Sequence, residues 1–142
     1  MWVEEFTGQS TATPERVFAV LADAQRWSEW NEGVGAIRLH GPFDSGTRAE
    51  MVFPDGSALP FRLTWVEHAA GYEDVTDLPA DGVIVRVRHL LTPATPGPGT
   101  VITYRCEVDG PGEAAVAAGE GVTADFPDVI AALAARAEGR LG

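Results

Sequence analysis

Apolar and polar residues alternate with the period of a strand through most of the middle of the chain. The clearest case is 100–109, where Ile102, Tyr104, Cys106 and Val108 alternate with Thr103, Arg105, Glu107 and Asp109, giving one apolar and one polar face. In 83–91, Val83, Val85, Val87, His89 and Leu91 share one face and Arg86 and Arg88 the other, so His89 points where the valines point. Further strands are expected at 1–7, 37–40, 47–53, 59–67 and 72–78, bounded by turn residues such as Gly8, Gly41-Pro42, Asp55-Gly56, Ala70-Gly71 and Asp81-Gly82. The short spacers between them imply antiparallel hairpins running as a meander.

Helical spacing replaces this alternation in two places. Thr13 and Pro14 form a helix start, because a threonine caps free N–H groups and a proline in the first turn gives up no hydrogen bond. Val17, Phe18, Val20 and Leu21 then lie on one face, and the helix stops near Asp23. A second short helix is expected over Arg26-Trp27-Ser28-Glu29-Trp30, with both tryptophans on one side and Trp27 anchoring it to the sheet. The last helix runs from Asp125 to about Arg140, with Phe126, Ile130, Leu133 and Ala137 at helical spacing. Between 110 and 122, Ala114–Ala118 favours helix while Gly110, Gly112, Gly119 and Gly121 oppose it; a broken helical turn or mobile lead-in is expected.

At 142 residues the chain is sized for one domain over 1–142 with a single core. The composition, 45% apolar and 22% charged, is that of a globular protein rather than a disordered or fibrous one. Charge narrows the functional field. The net charge is −11 and all ten basic residues are arginines, scattered except for Arg86 and Arg88. Nucleic acid is therefore not an expected partner, since a phosphate backbone demands a basic stripe. Without lysine, Schiff-base catalysis, pyridoxal phosphate anchoring and P-loop phosphate binding are excluded. One cysteine, Cys106, makes neither an internal disulfide nor a multi-cysteine zinc site. The acidic start and the lack of a run of about 18 apolar residues give no signal peptide and no membrane insertion, so a cytoplasmic location is expected.

The order strand, two short helices, six antiparallel strands and C-terminal helix carries a family likeness. Ala12-Thr13-Pro14-Glu15-Arg16-Val17-Phe18, Leu21-Ala22-Asp23-Ala24-Gln25-Arg26-Trp27-Ser28-Glu29-Trp30, Asp44-Ser45-Gly46-Thr47-Arg48 and Gly99-Thr100-Val101-Ile102-Thr103-Tyr104-Arg105 resemble the START-like (SRPBCC) superfamily, in particular its polyketide cyclase/dehydrase and lipid-transport branch. The resemblance spans essentially the whole chain. It implies an α+β helix-grip fold, a curved seven-stranded antiparallel sheet wrapped around a long C-terminal helix, with an apolar cavity between them. It carries over no catalytic residue, because the family has no invariant catalytic motif.

Under that resemblance, Trp30, Met51, Phe53, Phe61, Leu63, Trp65, His89, Tyr104, Phe126 and Ile130 are the residues expected around the cavity. His89 is the sharpest candidate: an imidazole on an apolar face is either a base or donor toward a ligand, or a core histidine satisfied by a neighbour. Tyr104 is a second candidate, as a phenol that packs or donates to a ligand oxygen. A nucleophilic role for Cys106 is disfavoured, because an apolar interior raises a thiol's pKa. Arg86 and Arg88 are assigned to surface ion pairs. Glu73, Asp74, Asp77 and Asp81 lack metal-site spacing and are read as a solvated edge. No metal site is expected from His40, His68 and His89, which lie on different strands, and no cofactor is implied. The expected function is binding of a small hydrophobic or aromatic, polyketide- or lipid-like molecule between sheet and helix, with cyclisation or dehydration as its chemistry if it is an enzyme. The alternative is a non-catalytic lipid carrier or protein-interaction module; monomer and homodimer both remain open.

Overall fold

The computed structural model describes residues 1–139. Strand β1 (Trp2–Ser10) leads to helix α1 (Pro14–Ala22) and a 3₁₀ segment (Ala24–Glu29). Six strands follow: β2 (Ala36–Leu39), β3 (Arg48–Val52), β4 (Ala58–Glu67), β5 (Gly71–Leu78), β6 (Val83–Pro93) and β7 (Thr100–Asp109). Helices α2 (Gly112–Thr123) and α3 (Phe126–Ala137) end the described chain. The sheet order is β1-β7-β6-β5-β4-β3-β2 with every pairing antiparallel. This is the expected meander, with β1 closing back onto the last strand: the helix-grip fold.

The local signals operate as their chemistry dictates. The Thr13 side chain accepts from the Arg16 N–H, and Pro14 occupies the first turn of α1. β6 and β7 bury every second residue, the valines, His89, Tyr104 and Cys106 among them. α3 buries Phe126, Ile130, Leu133, Ala134 and Ala137, and each large side chain so buried contributes about 2 kcal/mol from apolar area. α3 is pinned at its far end to the opposite end of the chain. The Ser10 hydroxyl donates to the Ala134 carbonyl, the Thr11 N–H donates to Glu138 at 2.8 Å, and Arg16 Nε donates to the Ala137 carbonyl at 3.0 Å.

Four expectations are corrected. β1 continues through Gly8 to Ser10, because Gly8 does not turn the chain: it lets α3 approach, and a Cβ there would sit 2.5 Å from Ile130 Cγ2. The second short helix, a 3₁₀ segment, begins earlier than expected, at Ala24, and ends at Glu29. The 110–122 stretch is not broken but forms helix α2. Its Gly119 lies against Trp2 of β1, whose ring atoms would be 2.3–2.6 Å from an added Cβ, so the missing side chain serves packing and outweighs the roughly 1 kcal/mol propensity cost. The C-terminal helical region is therefore two helices meeting at Ala124-Asp125. The expected end of the last helix near Arg140 lies outside the described residues.

No helix among the described residues is long and apolar enough to cross a membrane.

Candidate functional site

The space between the sheet, the 3₁₀ segment and the α2–α3 junction encloses a cavity of about 570 Å³. Its lining is mostly apolar and aromatic: Trp27 and Trp30 from the 3₁₀ segment and its end, Met51 and Phe53 from β3 and just beyond, Leu59 and Phe61 from β4, Val85 and Val87 from β6, and Phe126 and Val129 from α3. The polar lining groups come from several elements, Asn31 just after the 3₁₀ segment among them. Tyr72, Asp74 and Thr76 come from β5, His89 from β6, Tyr104 from β7 and Asp125 from the α2–α3 junction.

Sheet register builds the centre of this wall. Tyr72 pairs with His89, and His89 with Tyr104, so three ring-bearing residues form one row across β5, β6 and β7. Tyr72 stacks on His89 with ring centroids 3.9 Å apart and planes 12° apart, and Tyr104 meets His89 edge-on at 4.5 Å. Phe126 of α3 meets Tyr104 edge-on at 5.3 Å, tying the row to the helix. Close approach of β5 to β6 depends on Gly71: its φ is +139°, and a Cβ would lie 1.9 Å from the His89 carbonyl oxygen.

The hydrogen bonding fixes the state of His89. Its Nδ1 lies 3.2 Å from the Tyr72 carbonyl oxygen. That oxygen only accepts, so Nδ1 carries the proton and Nε2 of the neutral ring carries a lone pair. Burial holds the imidazole neutral, pushing its pKa down to about 3 against the smaller opposing effect of the Tyr72 hydrogen bond. Nε2 in turn faces Asp74, with Oδ2 at 3.9 Å, too far for a hydrogen bond. Burial first, and the neighbouring Glu73 charge second, raise Asp74 to about 7. Asp74 thus divides between acid and carboxylate near neutral pH, although 19% of its side chain stays accessible. Asp125 is raised as well, chiefly by burial. Tyr104 is raised by burial and then by the charges of Asp74 and Asp125.

The other face of the sheet carries a separate network. Glu73, adjacent to Asp74 but pointing outward, accepts from the Thr64 hydroxyl at 2.7 Å and from Arg88 Nε at 3.1 Å, with Arg86 Nε 3.5 Å away. Arg86 and Arg88 are therefore the surface ion-pairing residues that their alternation predicts.

Seven of the ten expected cavity residues meet there: Trp30, Met51, Phe53, Phe61, His89, Tyr104 and Phe126. Three do not. Leu63 and Ile130, 1% and 2% exposed, are packed in the core. Trp65 fails for a structural reason: the register shifts between Leu63 and Trp65. A bulge adds a residue and turns Trp65 to the outer face, where Arg88 lies 5.9 Å over its ring. The acidic group read as one solvated edge is likewise split, with Glu73 buried in ion pairs and Asp74 in the cavity wall. Tyr72, Asp74 and Asp125 were not foreseen. The shared parity of Tyr72, Asp74, Thr76 and Leu78 was the available signal for the first two. Cys106 is buried, and desolvation pushes its thiol up to about 12, opposite to what a nucleophile needs. Among the described residues, no group of three or more His, Cys, Asp or Glu is placed to hold a metal ion.

The fold and cavity geometry can be set beside known proteins. A protein from Mesorhizobium loti superposes with a TM-score of 0.77 at 19% identity, covering 98% of each chain. Norcoclaurine synthase from Thalictrum flavum superposes with a TM-score of 0.73 at 15% identity, over 94% of this chain and 84% of that one. The di-domain ARO/CYC StfQ from the steffimycin biosynthetic pathway gives a TM-score of 0.76 at 18% identity, over 97% of this chain and 51% of the di-domain protein. At these identities the likeness is one of fold. No curated protein matches by sequence. The family model described as polyketide cyclase / dehydrase and lipid transport matches residues 4–138, nearly the whole length of a chain whose seven-stranded sheet and terminal helices have just been described, and the chain belongs to that family.

Proposed function

We propose that the chain binds a small hydrophobic or aromatic molecule in the cavity between the sheet and α3. The observation that carries this reading is the cavity: about 570 Å³, within the range of sites for small organic ligands, with mostly apolar walls and a few polar groups. Burial of ligand surface at about 25 cal/mol per Å² supplies the affinity, and the polar wall sets orientation. Membership of a polyketide cyclase, dehydrase and lipid-transport family, and structural likeness to an aromatase/cyclase and to norcoclaurine synthase, support a ligand of this kind.

The same wall favours proton transfer, as cyclisation or dehydration of a polyketide-like substrate requires. Efficient general acid–base groups titrate near the working pH. Asp74, raised to about 7, fits that condition better than His89, which is held near 3, or Tyr104, which is pushed up. Asp74 therefore takes the proton-carrying role, with His89 and Tyr104 orienting the ligand.

Binding is tested by calorimetric titration with a neutral aromatic such as 2-(2-naphthyl)ethanol. Saturable binding by the wild type, lost when Val87→Phe fills the cavity, supports the reading. Equal binding by a folded Val87→Phe overturns it. Once a substrate is found, folded Asp74→Asn is expected to lose turnover.

A further inference from the structure

The charge of the cavity wall restricts what it accepts. Two carboxyl groups, Asp74 and Asp125, face the cavity, no arginine among the described residues lines it, and the chain has no lysine. The arginines of the neighbouring strands are engaged on the opposite face: Arg62 with Asp77, Arg86 and Arg88 with Glu73, and Arg105 with Glu5 and Glu107.

Asp74 and Glu73 make the contrast within one dipeptide. Glu73 has a hydroxyl and two guanidinium groups around it. Asp74 has, among the described residues, only His89 at 3.9 Å. That imidazole has already given its single N–H to the Tyr72 carbonyl, and it presents a lone pair, so it offers Asp74 no proton. Among the described residues, the other titratable groups near Asp74 are Tyr72 on its own strand and Tyr104 and Cys106 from β7, with Glu73 turned outward; none is cationic. A partly desolvated carboxylate without a donor is an unfavourable arrangement that a ligand cation relieves. A ligand carboxylate would instead bring a further negative charge into a cavity that already holds two carboxyl groups. The aromatic rings near these carboxyls, Trp27, Tyr72, Tyr104 and Phe126, also suit a cation. Trp30 adds a second unmet group: 6% exposed and lining the same cavity, it is the one described residue with a buried side-chain polar atom that has no partner, its indole Nε1.

We infer that the cavity selects hydrophobic aromatic molecules bearing a protonated amine, with Asp74 as the counter-ion and Asp125 as a second carboxylate, and that it discriminates against fatty acids and other carboxylates. This inference rests on the cavity-binding reading above and names its ligand class.

The test uses three probes that share a naphthalene ring: 2-(2-naphthyl)ethylamine, 2-(2-naphthyl)ethanol and 2-naphthylacetate. Their affinities are measured by calorimetry at pH 8.5, where Asp74 is ionised and an aliphatic amine titrating near about 10 is still charged. The amine is expected to bind about tenfold or more tightly than the alcohol, and the acid more weakly than either. In Asp74→Asn, a near-isosteric change, the ratio of amine to alcohol affinity should fall toward one. The ranking in the wild type is read independently of the variant's folding. Alcohol binding as tight as amine binding, or an amine preference unchanged in folded Asp74→Asn, overturns the inference and leaves the cavity reading standing. Binding of none of the three overturns both.

Discussion

His89 Nε2 lies 3.9 Å from Asp74 Oδ2, while the opposite ring nitrogen is held by the Tyr72 carbonyl at 3.2 Å. The proton of the imidazole is thus committed to the backbone and its lone pair is turned toward a carboxyl group that is itself half titrated near neutrality. Neither group is charged at low cost, and this makes the pair a sensitive point of both stability and function.

For Asp74 the pH dependence has a definite sign. Its folded pKa, about 7, exceeds the unfolded value near 3.8, so the unfolded chain gives up this proton first. Folding stability is therefore undiminished below pH 3.8, falls as pH rises from 3.8 to 7, and stays low above it. The cost above pH 7 is on the order of 3 kcal/mol, reduced from the full shift because part of the side chain is accessible. Asp74→Asn removes it. Thermal denaturation should show the variant more stable than wild type at pH 8.5 and equal to it at pH 3.5; a variant less stable at pH 8.5 would contradict the assignment.

His89 works in the opposite direction. Its folded pKa of about 3 lies below the unfolded 6.5, so its contribution is fully present above pH 6.5 and is lost as pH falls toward 3. Between pH 6.5 and pH 4 this costs on the order of 3 kcal/mol. Nitrogen-15 NMR of the imidazole should find a neutral ring with its proton on Nδ1 at pH 5. A ring that charges near pH 6.5 would mean it is not buried as described.

The two indoles of the 3₁₀ region should respond differently to loss of their N–H. Trp27 Nε1 donates to the Leu21 carbonyl at 2.9 Å, whereas the Trp30 Nε1 has no partner among the described residues. Trp27→Phe leaves a carbonyl unmet and is expected to cost about 1–3 kcal/mol more than Trp30→Phe. Urea denaturation of both variants decides it, and equal losses would count against the difference in bonding.

Helix α2 contains a matched pair of glycines two residues apart. A Cβ at Gly119 would collide with the Trp2 ring, while one at Gly121 meets nothing within 4 Å. Gly119→Ala should destabilise by about 1–3 kcal/mol through overpacking, and Gly121→Ala should stabilise by up to about 1 kcal/mol through helix propensity. Melting temperatures of the two variants moving the same way would refute the packing account.

Much of the fold was legible because it is written in local periodicity. Alternation in β6 and β7 gave the strands and placed His89 and Tyr104 on the inner face, and the Thr13-Pro14 signal marked the start of α1. Local rules failed where a residue's role depends on what lies opposite. The glycines of 110–122 read as helix breakers because Trp2, more than a hundred residues earlier, was not visible as the partner of Gly119. Trp65 was expected around the cavity with Phe61 and Leu63, but a bulge, set by how β4 pairs with β5, turned it to the other face.

The candidate site divides along the same line. By itself the sequence determined the order of the strands and of the first and last helices, the apolar face that carries His89, and the absence of any lysine to neutralise a buried acid. Only the tertiary structure decided that Tyr72, His89 and Tyr104 form one row, that Asp74 stands beside it without a donor, and that Asp125 arrives from a helix junction fifty residues away in the chain. The physical reason is that periodicity fixes which face a side chain takes, whereas burial, pairing and pKa depend on strand register and on the approach of distant segments, and those are settled only when the core closes.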